Sequence, residues 1–228
     1  LFGGQAIGGA VNAIDKRIPR AIPEEAVHVD ALAGYGSAAD EWSGGVSFDV
    51  PLADRFVVHA DGSYRKSDDL RIGGYQLSPV LRAEILDLAD EEESEGNLGE
   101  ADELREAAEN RGRVPNSAVE TWTAGLGTAF IDDGGNLGVS FSIYDTKYGI
   151  PGRPGVGHHE EEATGTGEQL SMAEGDEEAV TIGLRQYRAD LRGEVETGGG
   201  FLDKITFRAG YADYQHTEFE GDAIGTIF

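Results

Sequence analysis

Apolar and polar side chains alternate with a period of two in seven separate segments of the sequence. In 27–36, Val27, Val29, Ala31, Ala33 and Tyr35 share one side, with His28 and Asp30 on the other. Trp42, Gly44, Val46, Phe48 and Val50 oppose Ser43, Gly45, Ser47 and Asp49; Phe56, Val58, Ala60, Gly62 and Tyr64 oppose His59, Asp61, Ser63 and Arg65. The pattern returns with Trp122, Ala124, Leu126 and Phe130, then with Leu137, Val139, Phe141 and Ile143. It closes with Tyr187, Ala189, Leu191 and Val195 opposite Arg188, Asp190, Arg192 and Glu194, and with Ile205, Phe207, Ala209 and Tyr211 opposite Lys204, Thr206 and Arg208. Side chains two apart project to the same side of a strand, so each segment predicts a strand with one apolar and one polar face.

A soluble sandwich alternates in the same way, so the connections carry the distinction. "PLADR" (51–55), "IDDGGN" (131–136) and "TGGGFLD" (197–203) read as tight turns, whereas 66–117, 149–179 and 216–222 read as long links. Short and long links therefore alternate, apart from the brief "GSAADE" (36–41). Short turns on one rim and long loops on the other are the plan of an outer-membrane barrel. Loops of such length are uncommon inside compact soluble domains. Aromatics near the ends of the apolar rows, among them Tyr35, Trp42, Tyr64, Trp122, Phe130, Tyr187 and Tyr211, match the girdles of such barrels. The fold class expected is all-β: an antiparallel transmembrane β-barrel fragment of seven to eight strands, with long external loops, one of them partly helical.

Composition narrows the partners. With 43 acidic and 18 basic side chains and a net charge of −25, the chain lacks the basic footprint of a nucleic-acid binder. The same charge disfavours attachment to an anionic lipid surface. There is no cysteine, hence no disulfide or thiolate metal site. No apolar run approaches the roughly 20 residues of a spanning helix, which leaves spanning strands open. The 34 glycines include Gly34, Gly44, Gly45, Gly125, Gly127, Gly183 and Gly210 inside strands, where glycine permits a bend or the close approach of another backbone. The chain opens in a glycine-rich segment without an initiator methionine, and the expectation is an internal piece of something longer.

Residues 1–22, "LFGGQAIGGAVNAIDKRIPRAI", do not alternate. "GGQAIGG" has neither the preceding strand nor the following helix of a dinucleotide site. The stretch resembles the closing segment of the plug domain in TonB-dependent outer-membrane receptors, through Leu1, Phe2, Gly3, Ala6, Ile7, Gly8, Gly9, Val11 and Asn12. "YGIPG" (148–152), "QYRADLRGE" (186–194) and "YADYQHTEFEG" (211–221) are similar to the zinc-receptor branch of that family. The resemblance implies that 1–22 is the end of a plug and 23–228 the first part of a barrel of about 22 strands. It implies a monomeric transporter in the Gram-negative outer membrane, in contact with lipid and driven by the TonB–ExbB–ExbD complex through a segment upstream of this chain. The cargo implied is a metal, Zn2+ before an iron–siderophore chelate, with no resident cofactor.

Candidate ligands lie in two clusters. His158, His159, Glu160, Glu161 and Glu162 fall in the second long link; His216, Glu218 and Glu220 recur at spacing two and face one way on an extended chain. Imidazole and carboxylate suit zinc, although adjacent residues rarely converge on one ion, and solvated loop charge explains the same residues. Asp15 follows the plug-like motif without a definite role. The acidic run 83–113 has helix formers and a small apolar set, Ile85, Leu86 and Leu88, which predicts short helices in the first long loop. His28 and His59 belong to polar faces; they are expected to point into the lumen and to hydrogen-bond to the plug or to water. No catalytic triad or paired-carboxylate motif stands out, so no enzyme chemistry is expected. A calcium-binding surface adhesin, from another functional class, would need an aspartate–glycine repeat that the sequence lacks.

Overall fold

The computed structural model describes residues 15–152, 179–221 and 223–227. In chain order its elements are β1 (His28–Gly36), β2 (Glu41–Ala53), β3 (Phe56–Ser67), β4 (Arg71–Tyr75), α1 (Pro79–Glu95), α2 (Leu98–Glu109), β5 (Arg111–Arg113), β6 (Val119–Asp132), β7 (Gly135–Gly149), β8 (Val180–Glu196), β9 (Lys204–Glu220) and β10 (Ala223–Ile227). Eight of the strands make one antiparallel sheet in the order β1-β2-β3-β6-β7-β8-β9-β10, a meander broken only by the excursion from β4 to β5. The protein is mostly antiparallel β, as the alternation predicts.

Register keeps the two faces separate across the sheet. Val29, Phe48, Ala60, Leu126, Phe141, Ala189 and Tyr211 are successive cross-strand partners on one face. Asp49, His59, Gly127, Ser140, Asp190 and Gly210 form the neighbouring row on the other. The apolar row is open: Trp42, Leu126 and Tyr211 are 66%, 62% and 69% exposed. The Phe56 and Phe130 rings meet edge to face at 5.4 Å near one end of that face, and Tyr35 and Trp42 lie 4.8 Å apart near the other. Beyond Tyr64 and Trp122 the same face turns ionic. Lys66 pairs with Glu120 at 3.3 Å, Arg185 with Asp145 at 2.6 Å, and the Tyr64 hydroxyl donates to Glu120 at 2.7 Å.

Strands run further than the alternation indicated, because charged residues occupy both faces near one rim and the period-two contrast fades there. The largest departure is at 216–222. The sequence suggested a long link, whereas His216 to Glu220 continue β9, and β10 pairs back on β9 from Ala223↔Glu220. Backbone pairing with β8, from Ile182↔Glu218 to Thr181↔Phe219, holds this polar stretch extended. The tight turns after β2, β6 and β8 fall where the sequence puts them. The 153–178 part of the second long link lies outside the described residues.

The first long link is a small structured unit. Ser78 caps α1 by accepting a hydrogen bond from the Leu81 amide at 3.2 Å, and Pro79 supplies a preset first-turn φ. Gly96 ends the helix at φ 95°, a left-handed position that a side chain would strain. Ile85 and Ala89 of α1 bury against Leu104 and Ala108 of α2, flanked by Leu77, Leu81, Leu86 and Leu88. Arg105 bridges back to Asp90 at 2.9 Å and also pairs with Glu93, and Arg82 lies over the Tyr75 ring at 3.5 Å. The hairpin is rooted at the sheet rim. Asp69 accepts from the Ser117 and Ala118 amides at 2.9 and 3.1 Å, and Asn116 donates to the Ile150 and Val180 carbonyls at 2.8 and 2.7 Å. Leu104→Ala removes the largest buried side chain of this hairpin. The expected cost is about 2–3 kcal/mol, read as faster amide exchange across α1 and α2 with exchange in the sheet unchanged.

Candidate functional site

The metal-ligand candidates divide by position. His158, His159, Glu160, Glu161 and Glu162 lie outside the described residues. His216 and Glu218 do share one side of β9, as their spacing requires, opposite Leu184 and Ile182 of β8. They sit in a hydrogen-bonded strand and not in a loop, and Tyr214 packs edge-on to His216 with ring centroids 6.4 Å apart. Among the described residues no group of three or more His, Asp or Glu side chains converges in a way that could hold a metal ion.

The polar side chains that do converge lie on the polar face, around the segment that precedes the first strand. Residues 15–20 cross the strands instead of running with them. Lys16 reaches Asp30 of β1 at 3.0 Å. Arg17 grips Asp61 of β3 through two parallel hydrogen bonds, Nε to Oδ2 at 2.9 Å and Nη2 to Oδ1 at 2.8 Å. The planar guanidinium fork matches both carboxylate oxygens, a geometry that lysine does not reproduce. Asp15 steadies the same arginine, accepting from its backbone amide at 3.3 Å and lying 3.6 Å from Nη1. Next in the segment, Ile18 is 4% exposed and lies over Gly138 of β7, beside the equally buried Ala129 and Val57. Enclosing one isoleucine contributes about 1.5–3 kcal/mol.

Three glycines make this crossing possible. A β-carbon at Gly125 would overlap Asp61 Oδ2 and Arg17 Nε; one at Gly127 would overlap the Arg17 carbonyl; one at Gly138 would overlap the Ile18 methyl. Glycine on β6 and β7 thus lets a backbone lie directly on the sheet. Sequence reasoning singled out Gly125 and Gly127 as places of close approach without identifying what approaches, and it did not single out Gly138. Arg17 was missed. Its one sequence signal was its place a few residues ahead of a glycine-punctured polar face.

His59 completes the cluster. It is 2% exposed, and its ring donates from Nδ1 to Asp49 Oδ1 at 2.8 Å, while Nε2 lies 3.6 Å from Asp61 Oδ2. Its partner is therefore a strand residue of β2, and it supports the acceptor of Arg17 from behind. His28, also expected to bond on this face, is half exposed, 3.6 Å from Asp30 and 3.9 Å from Glu25. Asp49, His59, Asp61 and Arg17 are suited to holding a segment in place. They present no exposed nucleophile.

Gly127→Ala puts a methyl group into the space of the Arg17 carbonyl and should lift the segment off the sheet. Trypsin is expected to cut after Arg17 faster in this variant than in the wild type, where the next residue, Ile18, is buried. Gly134→Ala, at a turn position with nothing within 4 Å, should leave that bond as protected as in the wild type. No protein-family model matches the chain.

Proposed function

We propose that this chain is part of a TonB-dependent outer-membrane receptor that imports a metal, zinc before an iron–siderophore chelate. The observation that carries the membrane part is the uncovered apolar face, bounded by aromatics and then by ion pairs. From Phe56 to Tyr64 along β3 is eight steps. At roughly 3.3 Å per residue and a strand tilt of roughly 35–45°, this spans about 20 Å of depth, close to the roughly 25 Å apolar band of outer-membrane barrels. The polar face then lines a wet interior, and the crossing segment is the foot of a plug held against the barrel wall. The short turns belong to the periplasmic rim and the helical hairpin to the outside.

The cargo rests on other features: the likeness of residues 148–152, 186–194 and 211–221 to zinc receptors, and the His158–His159 pair in an external loop. The strongly acidic α1–α2 hairpin raises cation concentration at the mouth. Energy arrives through TonB–ExbB–ExbD, acting on the plug. Siderophore import within the same family is the competing cargo, and no feature of the described residues favours it over zinc.

Val139 faces the apolar side between Thr128 and Leu191, whereas Thr206 faces the polar side opposite Glu194. In the intact receptor Val139→Arg should cost about 2–4 kcal/mol in a lipid-folding titration, if the site lies near the bilayer midplane, and Thr206→Arg should cost far less. Equal costs would remove hydrocarbon from one side of the sheet. For the cargo, calorimetric titration of the full-length protein with zinc should show weaker binding in the His158→Ala/His159→Ala variant. A drop of at least the roughly 10–100-fold that outer-shell losses already produce is expected. Unchanged affinity takes that loop out of the site.

A further inference from the structure

We propose that Arg192 and Arg208 together form a binding site for a compact, multiply charged oxyanion of the phosphate class on the polar face of the sheet. Arg192 and Arg208 are direct cross-strand partners on β8 and β9, which brings their β-carbons to about 5 Å. Like charges so placed oppose strand pairing, in a chain whose net charge of −25 offers many carboxylates as alternatives. Arg192 feels the positive charges of Arg20 and Arg208 together with the negative charges of Asp15 and Asp190, and Asp15 lies 3.6 Å from Nη1 of Arg17. The nearest carboxylate on β8 is taken: Asp190 receives both Nε and Nη2 of Arg188, at 2.6 and 2.8 Å.

Neither arginine makes an ion pair among the described residues, and Nε and Nη1 of Arg192 are buried without any hydrogen-bond partner. Leaving such donors unmatched costs about 1–3 kcal/mol, more for charged groups, so the arrangement favours an acceptor that offers several oxygens at once. A tetrahedral oxyanion does so, and the fork of arginine suits it. The choice of ligand rests on the membrane reading proposed above: lipid then meets the opposite, apolar face, and a soluble anion is the ligand on this one. Lys204, on the same side of β9, is already neutralised by Glu194 at 2.9 Å and stands outside the site. The site does not depend on the identity of the cargo.

Calorimetric titration of the full-length protein in detergent micelles with pyrophosphate tests it. Saturable binding is expected in the wild type, weakening as salt is raised. Arg192→Gln and Arg208→Gln should each lower the affinity about tenfold or more. Arg208→Lys, which keeps the charge and loses the fork, should fall between, and Lys204→Gln should match the wild type. Removing one of several like charges relieves repulsion, so these variants are expected to fold. Absence of saturable binding in the wild type overturns the site. So does unchanged affinity in both glutamine variants, or an equal loss in Lys204→Gln, which would mark diffuse attraction.

Discussion

A side chain in a strand has two directions to take, and a one-residue slip in pairing exchanges them all. From β1 to β9 the register shifts only at the edge of the apolar band, between Pro51 and Ala53 of β2, so seven local alternations fuse into one continuous apolar surface. Each large apolar side chain kept in water forgoes about 1.5–3 kcal/mol. Leu126, Phe141, Val139 and Phe207 are all about half exposed on that surface. A second protein layer or hydrocarbon must therefore stand against it. The aromatic and ionic borders favour hydrocarbon, because a packed second layer needs no change from Phe and Val to Tyr and Trp, and then to Lys–Glu pairs, at fixed depth.

The other face solves the reverse problem. Its side chains are polar and small, and where the crossing segment lies they are reduced to hydrogen. Gly125, Gly127 and Gly138 leave a shallow channel in which Arg17 and Ile18 sit against backbone, with Asp61 as acceptor and His59–Asp49 holding that acceptor in place. Burial of Ile18 contributes stability, while the Arg17–Asp61 fork contributes placement, since a bidentate pair tolerates little rotation. A segment held by one apolar residue and one partly exposed ion pair is far easier to release than a strand. On the reading proposed above, that property suits the foot of a moving plug.

The seven long strands and their faces were legible from period-two alternation, and three of the tight turns from the short segments that join them, whereas the short β4, β5 and β10 were not foreseen. The helices in 79–109 were legible from their composition. What escaped has a common cause. The outer ends of β7, β8 and β9 carry polar residues on both sides, so His216 and Glu218 looked like loop residues although main-chain pairing holds them in a strand. Arg17 escaped because its partner, Asp61, is remote in sequence and only the sheet register brings Gly125 and Asp61 side by side. Glycine spacing signalled the groove. No local pattern could signal its occupant.

The edges of the sheet bear on the proposed barrel. Among the described residues β1 pairs only with β2, β10 pairs only with β9, and the two edge strands are not paired with each other. In water an open edge invites pairing with other chains; in hydrocarbon each unmet amide or carbonyl costs several kcal/mol. On the membrane reading proposed above, those edge groups must be paired, which calls for closure of the sheet. The segment that crosses the polar face rests on Gly125, Gly127 and Gly138, and on that reading it is the contact between plug and barrel wall.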